Sequence, residues 1–89
     1  HYSPGIPIRL NVKKEMNGEA FLLLKKEKFN KTNYFFLSKK GDLREAGKNL
    51  YSTLRKIKNL KYKSIAVTRI PNKGLGKTIN DRLKRASKF

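Results

Sequence analysis

The chain has 89 residues, which is room for one small domain with a single modest core. It has no cysteine and one histidine, which excludes disulfides and thiol catalysis and argues against a thiolate or imidazole zinc site. Six acidic residues leave little for a carboxylate-bound metal or an acid/base pair. With no long apolar span and no signal-peptide pattern, we expect a cytoplasmic protein without membrane contact.

The formal net charge of +17 has two interpretations. One is contact with a polyanion, with RNA as the leading candidate, through attraction between Lys or Arg and phosphate. The other is coding bias, because 17 Lys stand against 6 Arg and a phosphate reader favours Arg. For RNA, Tyr51 and Tyr62 are the candidate stacking rings. The candidate phosphate contacts are Lys39, Lys40, Lys48, Lys56, Lys58, Lys61 and Lys63.

The first part of the chain predicts three strands. Residues 1–5 are interpreted as the end of an interdomain linker, and 6–89 as a single domain. Apolar and polar residues alternate from 6 to 12, which predicts a strand with one apolar face. That face comprises Ile6, Ile8, Leu10 and Val12. Apolar runs predict further strands at about 20–26 and 34–37.

The second part predicts a helix, a strand and a helix. Apolar spacing predicts helices at about 43–58 and 75–87, with a strand at 64–70 that Pro71 ends. Asp42 is the predicted N-cap of the first helix, and Glu45 completes a capping-box-like pair. The order β-β-β-α-β-α predicts a small Rossmann-like α/β sheet of about four strands, with at least one parallel right-handed crossover.

One motif resembles part of a phosphate-binding loop. Gly76-Lys77-Thr78 follows a strand and opens a helix, but Pro71 stands where that loop needs its first glycine. A dinucleotide-binding glycine pattern fails as well, since Ile79 replaces its third glycine. We therefore predict that Gly74 and Gly76 form a tight turn between strand and helix.

Three segments, in this order along the chain, resemble segments of a known family. His1-Tyr2-Ser3-Pro4 resembles a His-Tyr-(Ala or Ser)-Pro linker, and Gly41-Asp42-Leu43 resembles the start of a long helix. Gly74-Leu75-Gly76 followed by Asn80-Asp81-Arg82-Leu83 resembles a Gly-Leu-Gly…Asn-Asp-Arg-Leu signature. Together they are similar to the C-terminal domain of the L-threonylcarbamoyladenylate synthase family.

The resemblance implies that the chemistry lies elsewhere in the parent protein. That enzyme, a nucleotidyltransferase, would join threonine, bicarbonate and ATP into threonylcarbamoyl-adenylate for N6-threonylcarbamoyladenosine synthesis in tRNA. Its catalytic domain would precede residue 1 and would bind the ATP and Mg. This chain would be a non-catalytic accessory domain with no cofactor of its own, and it would position the linker as a lid over the catalytic domain.

The resemblance also implies candidate site residues. His1, Tyr2 and Pro4 would face the parent active site, or the motif would only fix the shape of the linker. Asn80, Asp81 and Arg82 would contact the catalytic domain, or would form a helix-to-loop hydrogen bond and an Asp–Arg pair, which we favour. The alternative function is a small basic RNA-binding module that contacts tRNA non-specifically.

Overall fold

A computed structural model of the protein describes residues 5–88. The helices lie where their apolar spacing places them, and the strands are shorter than predicted. The elements in chain order are β1 (Ile8–Arg9), β2 (Glu19–Leu23), β3 (Tyr34–Phe36), α1 (Leu43–Asn59), β4 (Ser64–Val67) and α2 (Leu75–Ala86).

The four strands form one parallel sheet in the order β1-β4-β2-β3. β4 lies between β1 and β2, because Ile65 pairs with Ile8 on one side and with Ala20 on the other. α1 connects β3 to β4, and β2 lies between these two strands in the sheet. The predicted small α/β sheet of four strands is confirmed.

The main core lies between the sheet and both helices. One stripe of each helix is buried, and these stripes pack on alternate residues of the central strands because successive strand side chains point to opposite faces. The helical contribution comes from Ala46, Leu50, Leu54, Ile57, Ile79, Leu83 and Ala86, and the central strands contribute Ala20, Leu22, Ile65 and Val67.

The first strand ends earlier than its apolar alternation predicts. Asn11 has φ 55°, a left-handed conformation that asparagine tolerates better than most residues. The chain therefore turns after Leu10, and Val12 packs against Phe21 and Leu23 on the other face of the sheet while Ile8 joins the main core. The prediction that Val12 shares a face with Ile8 is wrong for this reason.

The second face of the sheet carries no helix within residues 5–88. Phe21, Leu23 and Ala66 are buried on it, and Val12, Tyr34 and Phe36 are half-buried beside them. The Phe21 and Tyr34 rings meet edge to face, with centroids 5.1 Å apart. We call this aromatic surface the open face.

The start of α1 is held by three side chains. Asp42 is the N-cap, as predicted, and its Oδ2 accepts a 3.2 Å hydrogen bond from the backbone N–H of Glu45. In a capping box, Glu45 would accept a hydrogen bond from the backbone N–H of Asp42. Here Ser38 bridges the two groups, because its Oγ donates to Glu45 Oε1 at 2.6 Å and accepts from that N–H at 3.0 Å. Ser38 thus completes the cap that the sequence assigned to two residues alone.

Replacing Asp42 with alanine is expected to lower the free energy of unfolding by about 1 kcal/mol, because the first turn of α1 loses its side-chain acceptor. Urea unfolding followed by circular dichroism measures the change. The matched control is Asp81→Ala, which removes a carboxylate from an exposed 3.5 Å ion pair with Lys77 and costs at most about 0.5 kcal/mol. Equal losses in the two variants would contradict the capping role.

Candidate functional site

The two ends of the parallel strands define two edges of the sheet. At the amino edge, the chain enters β1 through Pro7, whose carbonyl oxygen accepts a 2.9 Å hydrogen bond from the N–H of Ile65. Gly5 precedes it with φ 77°, beside the Lys58 side chain at the end of α1. The predicted linker therefore joins the domain at this edge. The candidates His1, Tyr2 and Pro4 themselves lie outside the described residues.

The glycine signature lies at the opposite, carboxyl edge, where β4 leads into α2. Gly74 is the N-cap of α2 with φ 58° and ψ −134°, a backbone conformation that side chains disfavour. Two residues on, a Cβ at Gly76 would overlap the carbonyl oxygen of Pro71. Asn80 closes the turn, because its Nδ2 donates to the carbonyl oxygen of Ile70 at 2.9 Å. The loop thus folds directly onto the first turn of α2.

Backbone N–H groups of this turn donate hydrogen bonds to carbonyl groups of the same turn. The N–H of Gly76 donates to the carbonyl of Lys73, and the N–H of Lys77 donates to the carbonyl of Gly74, both at 3.1 Å. A phosphate-binding loop needs such amides directed at its ligand. Here the two amides bond within the turn instead, so close backbone packing explains the Gly-Leu-Gly spacing.

Asp81 and Arg82 point to different surroundings. Asp81 Oδ2 lies 3.5 Å from Lys77 Nζ, and both side chains are more than half exposed, so the pair contributes little. Arg82 instead lines a groove between the two helices, together with Arg44 and Lys48. The Asp–Arg pair favoured from the sequence is thus replaced by a Lys77–Asp81 pair.

A polar cleft of about 300 Å³ adjoins the signature at the carboxyl edge. It lies between β1, β4 and α2, and Asn11, Arg69, Asn72 and Asn80 contribute polar groups to its wall. The amide of Asn80 is already engaged, since its Nδ2 donates to Ile70 O and, at 3.3 Å, to Asn72 Oδ1. These contacts stabilise the loop that forms the wall.

A buried carboxylate at the amino edge has the most perturbed ionisation of the described residues. The side chain of Glu19 accepts hydrogen bonds from Arg9 at 2.7 and 2.9 Å, from Ser64 Oγ at 2.6 Å and from the N–H of Met16 at 2.9 Å. The hydrogen bonds from Arg9 lower the pKa of Glu19 to about 2, against the effect of burial, and those from Ser64 and Met16 add to the lowering. A carboxylate this acidic is a poor proton acceptor at neutral pH, and here it ties β1, β2 and β4 together.

The predicted lysine contacts come from three parts of the chain. Lys39 and Lys40 follow β3, Lys48, Lys56 and Lys58 lie on α1, and the other two, Lys61 and Lys63, follow α1. Tyr62 packs edge to face on Phe35, with centroids 5.7 Å apart, and Tyr51 packs half-buried against the main core. Neither ring is the most exposed aromatic of the described residues.

That aromatic is Phe29, whose side chain is 81% exposed. Its exposure was not predicted because Phe29 lies in the polar stretch between the strands predicted at about 20–26 and 34–37. The available signal was a single aromatic residue within the lysine-rich stretch 25–31.

No helix in the described part of the chain is long and apolar enough to cross a membrane. Among residues 5–88, no group of three His, Cys, Asp or Glu side chains is placed to hold a metal ion.

Comparison with known proteins gives one finding. No curated protein and no solved structure matches the chain. The model of one family, described as the C-terminal domain of threonylcarbamoyl-AMP synthase, matches residues 1–88. That match spans the linker motif, the α1 cap and the glycine signature at the carboxyl edge. The chain therefore belongs to the family of threonylcarbamoyl-AMP synthase C-terminal domains.

Proposed function

We propose that this chain is the non-catalytic accessory domain of a threonylcarbamoyl-AMP synthase whose catalytic domain precedes residue 1. The family match over residues 1–88 is the observation that carries the proposal. The catalytic domain would bind ATP and Mg²⁺ and would join ATP to threonine and bicarbonate, with release of pyrophosphate. Its product would supply the threonylcarbamoyl group for tRNA modification.

The accessory domain would hold the linker as a lid over the catalytic domain. Its attachment supports this role, because Pro7 and Ile8 tie the incoming chain to the central strand β4 through Ile65. His1 and Tyr2 would then contact phosphate or carboxylate oxygens in the catalytic pocket, and Pro4 would limit the conformations of the linker. Such a lid would exclude water from a labile adenylate.

Two carboxylates of the described residues are engaged within the domain, which is compatible with a role without catalysis. Glu19 has all its hydrogen-bonding capacity directed to Arg9, Ser64 and Met16, and Asp81 lies in an exposed ion pair. Reactive groups with a shifted pKa normally face a cleft that admits substrate, whereas Glu19 is 3% exposed. The positive charge of the domain is compatible with an acidic surface on the preceding domain.

Pyrophosphate release tests the division of labour. The purified 89-residue chain, given ATP, threonine and bicarbonate, is expected to release no pyrophosphate, whereas the full-length protein does so in a threonine-dependent manner. Threonine-dependent release by the 89-residue chain alone would overturn the proposal.

A tyrosine substitution in the full-length protein tests the lid. Tyr2→Phe is expected to lower kcat about tenfold or more, because a hydroxyl that bonds a charged group is lost. The matched control is Tyr62→Phe, whose ring keeps its packing on Phe35. A Tyr2→Phe protein as active as this control would contradict contact between the linker and the reacting groups.

A further inference from the structure

We propose that the open face of the sheet binds a segment of single-stranded RNA. The site is a groove of about 690 Å³, which we call the sheet groove. Phe21, Leu23 and Tyr34 form its floor, and the lysine-rich connection from β2 to β3, which contains Phe29, forms one wall. The groove is distinct from the linker attachment at the amino edge, so this inference does not rest on the proposed function.

The wall presents an exposed ring on a braced loop. Phe29 is 81% exposed, and Lys28 Nζ lies 5.7 Å from its ring centroid. The loop is braced by reciprocal hydrogen bonds: the N–H of Glu27 donates to Asn30 Oδ1 at 3.1 Å, and Asn30 Nδ2 donates to the Glu27 carbonyl at 2.7 Å. A ring held outward in this way is a platform on which a base can stack at low entropic cost.

Cations surround the groove. Of the side chains that line it, five are cationic and one, Glu27, is acidic. The cations come from four separated parts of the chain, so they surround the groove instead of forming a single charged stretch. They are Lys13, Lys25, Lys28, Lys40 and Arg69. This distribution suits a phosphate backbone that runs along the groove.

The combination favours RNA over a protein partner. A protein surface that matched the apolar floor would have to supply several carboxylates at the rim as well. A single strand offers flat bases to Phe29 and phosphates to the cations at the same time. An RNA duplex offers no free base faces, so the groove is expected to discriminate between the two forms.

The test uses the full-length protein and fluorescence anisotropy. The probes are a mixed-sequence RNA of about 12 nucleotides, within the length that single-strand grooves contact, and the duplex of the same sequence. We expect tighter binding of the single strand, and affinity reduced roughly 5- to 150-fold in Phe29→Ala. The paired variant Lys25→Ala/Lys28→Ala is expected to flatten the dependence of affinity on salt, because each phosphate left without its lysine lowers the slope by about 0.7.

Matched controls separate the groove from general charge. Leu60→Ala removes another exposed apolar side chain, 53% exposed, and Lys84→Ala removes a cation from the last turn of α2. Both are expected to bind the single strand as the parent protein does. Phe29 contributes to neither core cluster, so thermal unfolding of Phe29→Ala should match that of the parent.

Three outcomes would overturn the proposal. The first is no binding of the single strand at about 50 mM salt. The second is equal binding by Phe29→Ala and Leu60→Ala, which would indicate non-specific attraction. The third is loss of pyrophosphate release in Phe29→Ala with RNA binding unchanged, which would show that the groove receives the catalytic domain. Loss of RNA binding with normal pyrophosphate release would support the groove and leave the proposed function intact.

Discussion

Alanine at Gly76 is expected to lower the free energy of unfolding by about 3 kcal/mol or more, whereas alanine at Gly47 should leave the domain as stable or slightly more stable. Both glycines are helical, Gly47 in α1 and Gly76 in the first turn of α2. The difference between them lies in what a new methyl group would meet.

At Gly76 the methyl group would overlap the carbonyl oxygen of Pro71, and backbone cannot move aside as a flexible side chain can. Displacing Pro71 would also pull Ile70 away from Asn80, whose Nδ2 donates to the Ile70 carbonyl at 2.9 Å. Ile70 is itself 2% exposed in the main core. The substitution therefore disturbs the core as well as the turn.

At Gly47 the nearest atom to a new methyl group is Ile79 Cγ1 at 3.7 Å, an ordinary van der Waals contact. Alanine also favours the helix by about 0.5–1 kcal/mol over glycine. Gly74→Ala is an intermediate case: its methyl group meets nothing within 4 Å, but φ 58° with ψ −134° costs about 1–3 kcal/mol for a residue with a side chain.

Urea unfolding of the three variants by circular dichroism gives the order of stability directly. The expected order is Gly47→Ala, then Gly74→Ala, then Gly76→Ala as the least stable. A Gly76→Ala domain with the unfolding midpoint of Gly47→Ala would show that the close approach of Pro71 is not required for the fold.

The helices were predictable because their signals are local. The apolar stripe from Leu43 to Ile57 and the cap at Asp42 each depend on residues within one or two turns of each other, and both agree with the structure. The pattern 75–83 placed α2 in the same way. The local spacing of apolar residues is therefore sufficient to predict both helices.

Sheet order and strand ends depend on contacts distant in sequence. Alternation at residues 6–12 showed that a strand begins there, but the left-handed Asn11 that ends it leaves no trace in the alternation. The insertion of β4 between β1 and β2 depends on pairing of Ile65 with Ile8 and Ala20, across gaps of more than 40 residues. The periodicity of apolar residues indicates which residues share a face of a strand, but it does not indicate which strands pair with each other.

The candidate site also has features that the local sequence predicts and features that only the structure shows. The turn role of Gly74 and Gly76 followed from their place between a strand and a helix, while the close approach of Pro71 to Gly76 needed coordinates. Glu19 and Phe29 were missed because neither lies inside a predicted strand. Glu19 precedes the strand predicted at about 20–26, and Phe29 lies between that strand and the next. Their exposure is the reverse of the usual preference of a charged and an aromatic residue, since Glu19 is 3% exposed and Phe29 81%.

The buried carboxylate makes stability depend on pH. The pKa of Glu19 is about 2 in the folded domain and about 4.5 without the contacts of the fold, the hydrogen bonds from Arg9 being the main cause of the difference. Between these values the unfolded chain binds more protons than the folded one, so stability rises with pH. The contribution of Glu19 is complete above about pH 5 and is lost as the pH falls through about 2.

Glu19→Gln should remove this dependence together with the interaction. The amide keeps the shape of the side chain but carries no charge for Arg9. Its NH₂ group replaces one carboxylate oxygen and cannot accept the bond donated to that oxygen, which comes from Met16 at Oε1 or from Ser64 at Oε2. We expect a loss of about 2 kcal/mol at pH 7, less than for a fully buried pair because Arg9 is 37% exposed and screened by water.

Urea unfolding between pH 7 and pH 2 measures the difference in stability between the parent and the variant. That difference should be about 2 kcal/mol at neutral pH and should shrink toward zero near pH 2, because the parent carboxylate is then partly protonated. Glu27→Gln, which changes an exposed glutamate in the β2–β3 connection, is the matched control and should be as stable as the parent at pH 7. A Glu19→Gln deficit that stays constant down to pH 2 would mean that shape and packing, not the charge of Glu19, hold β1 and β2 to β4.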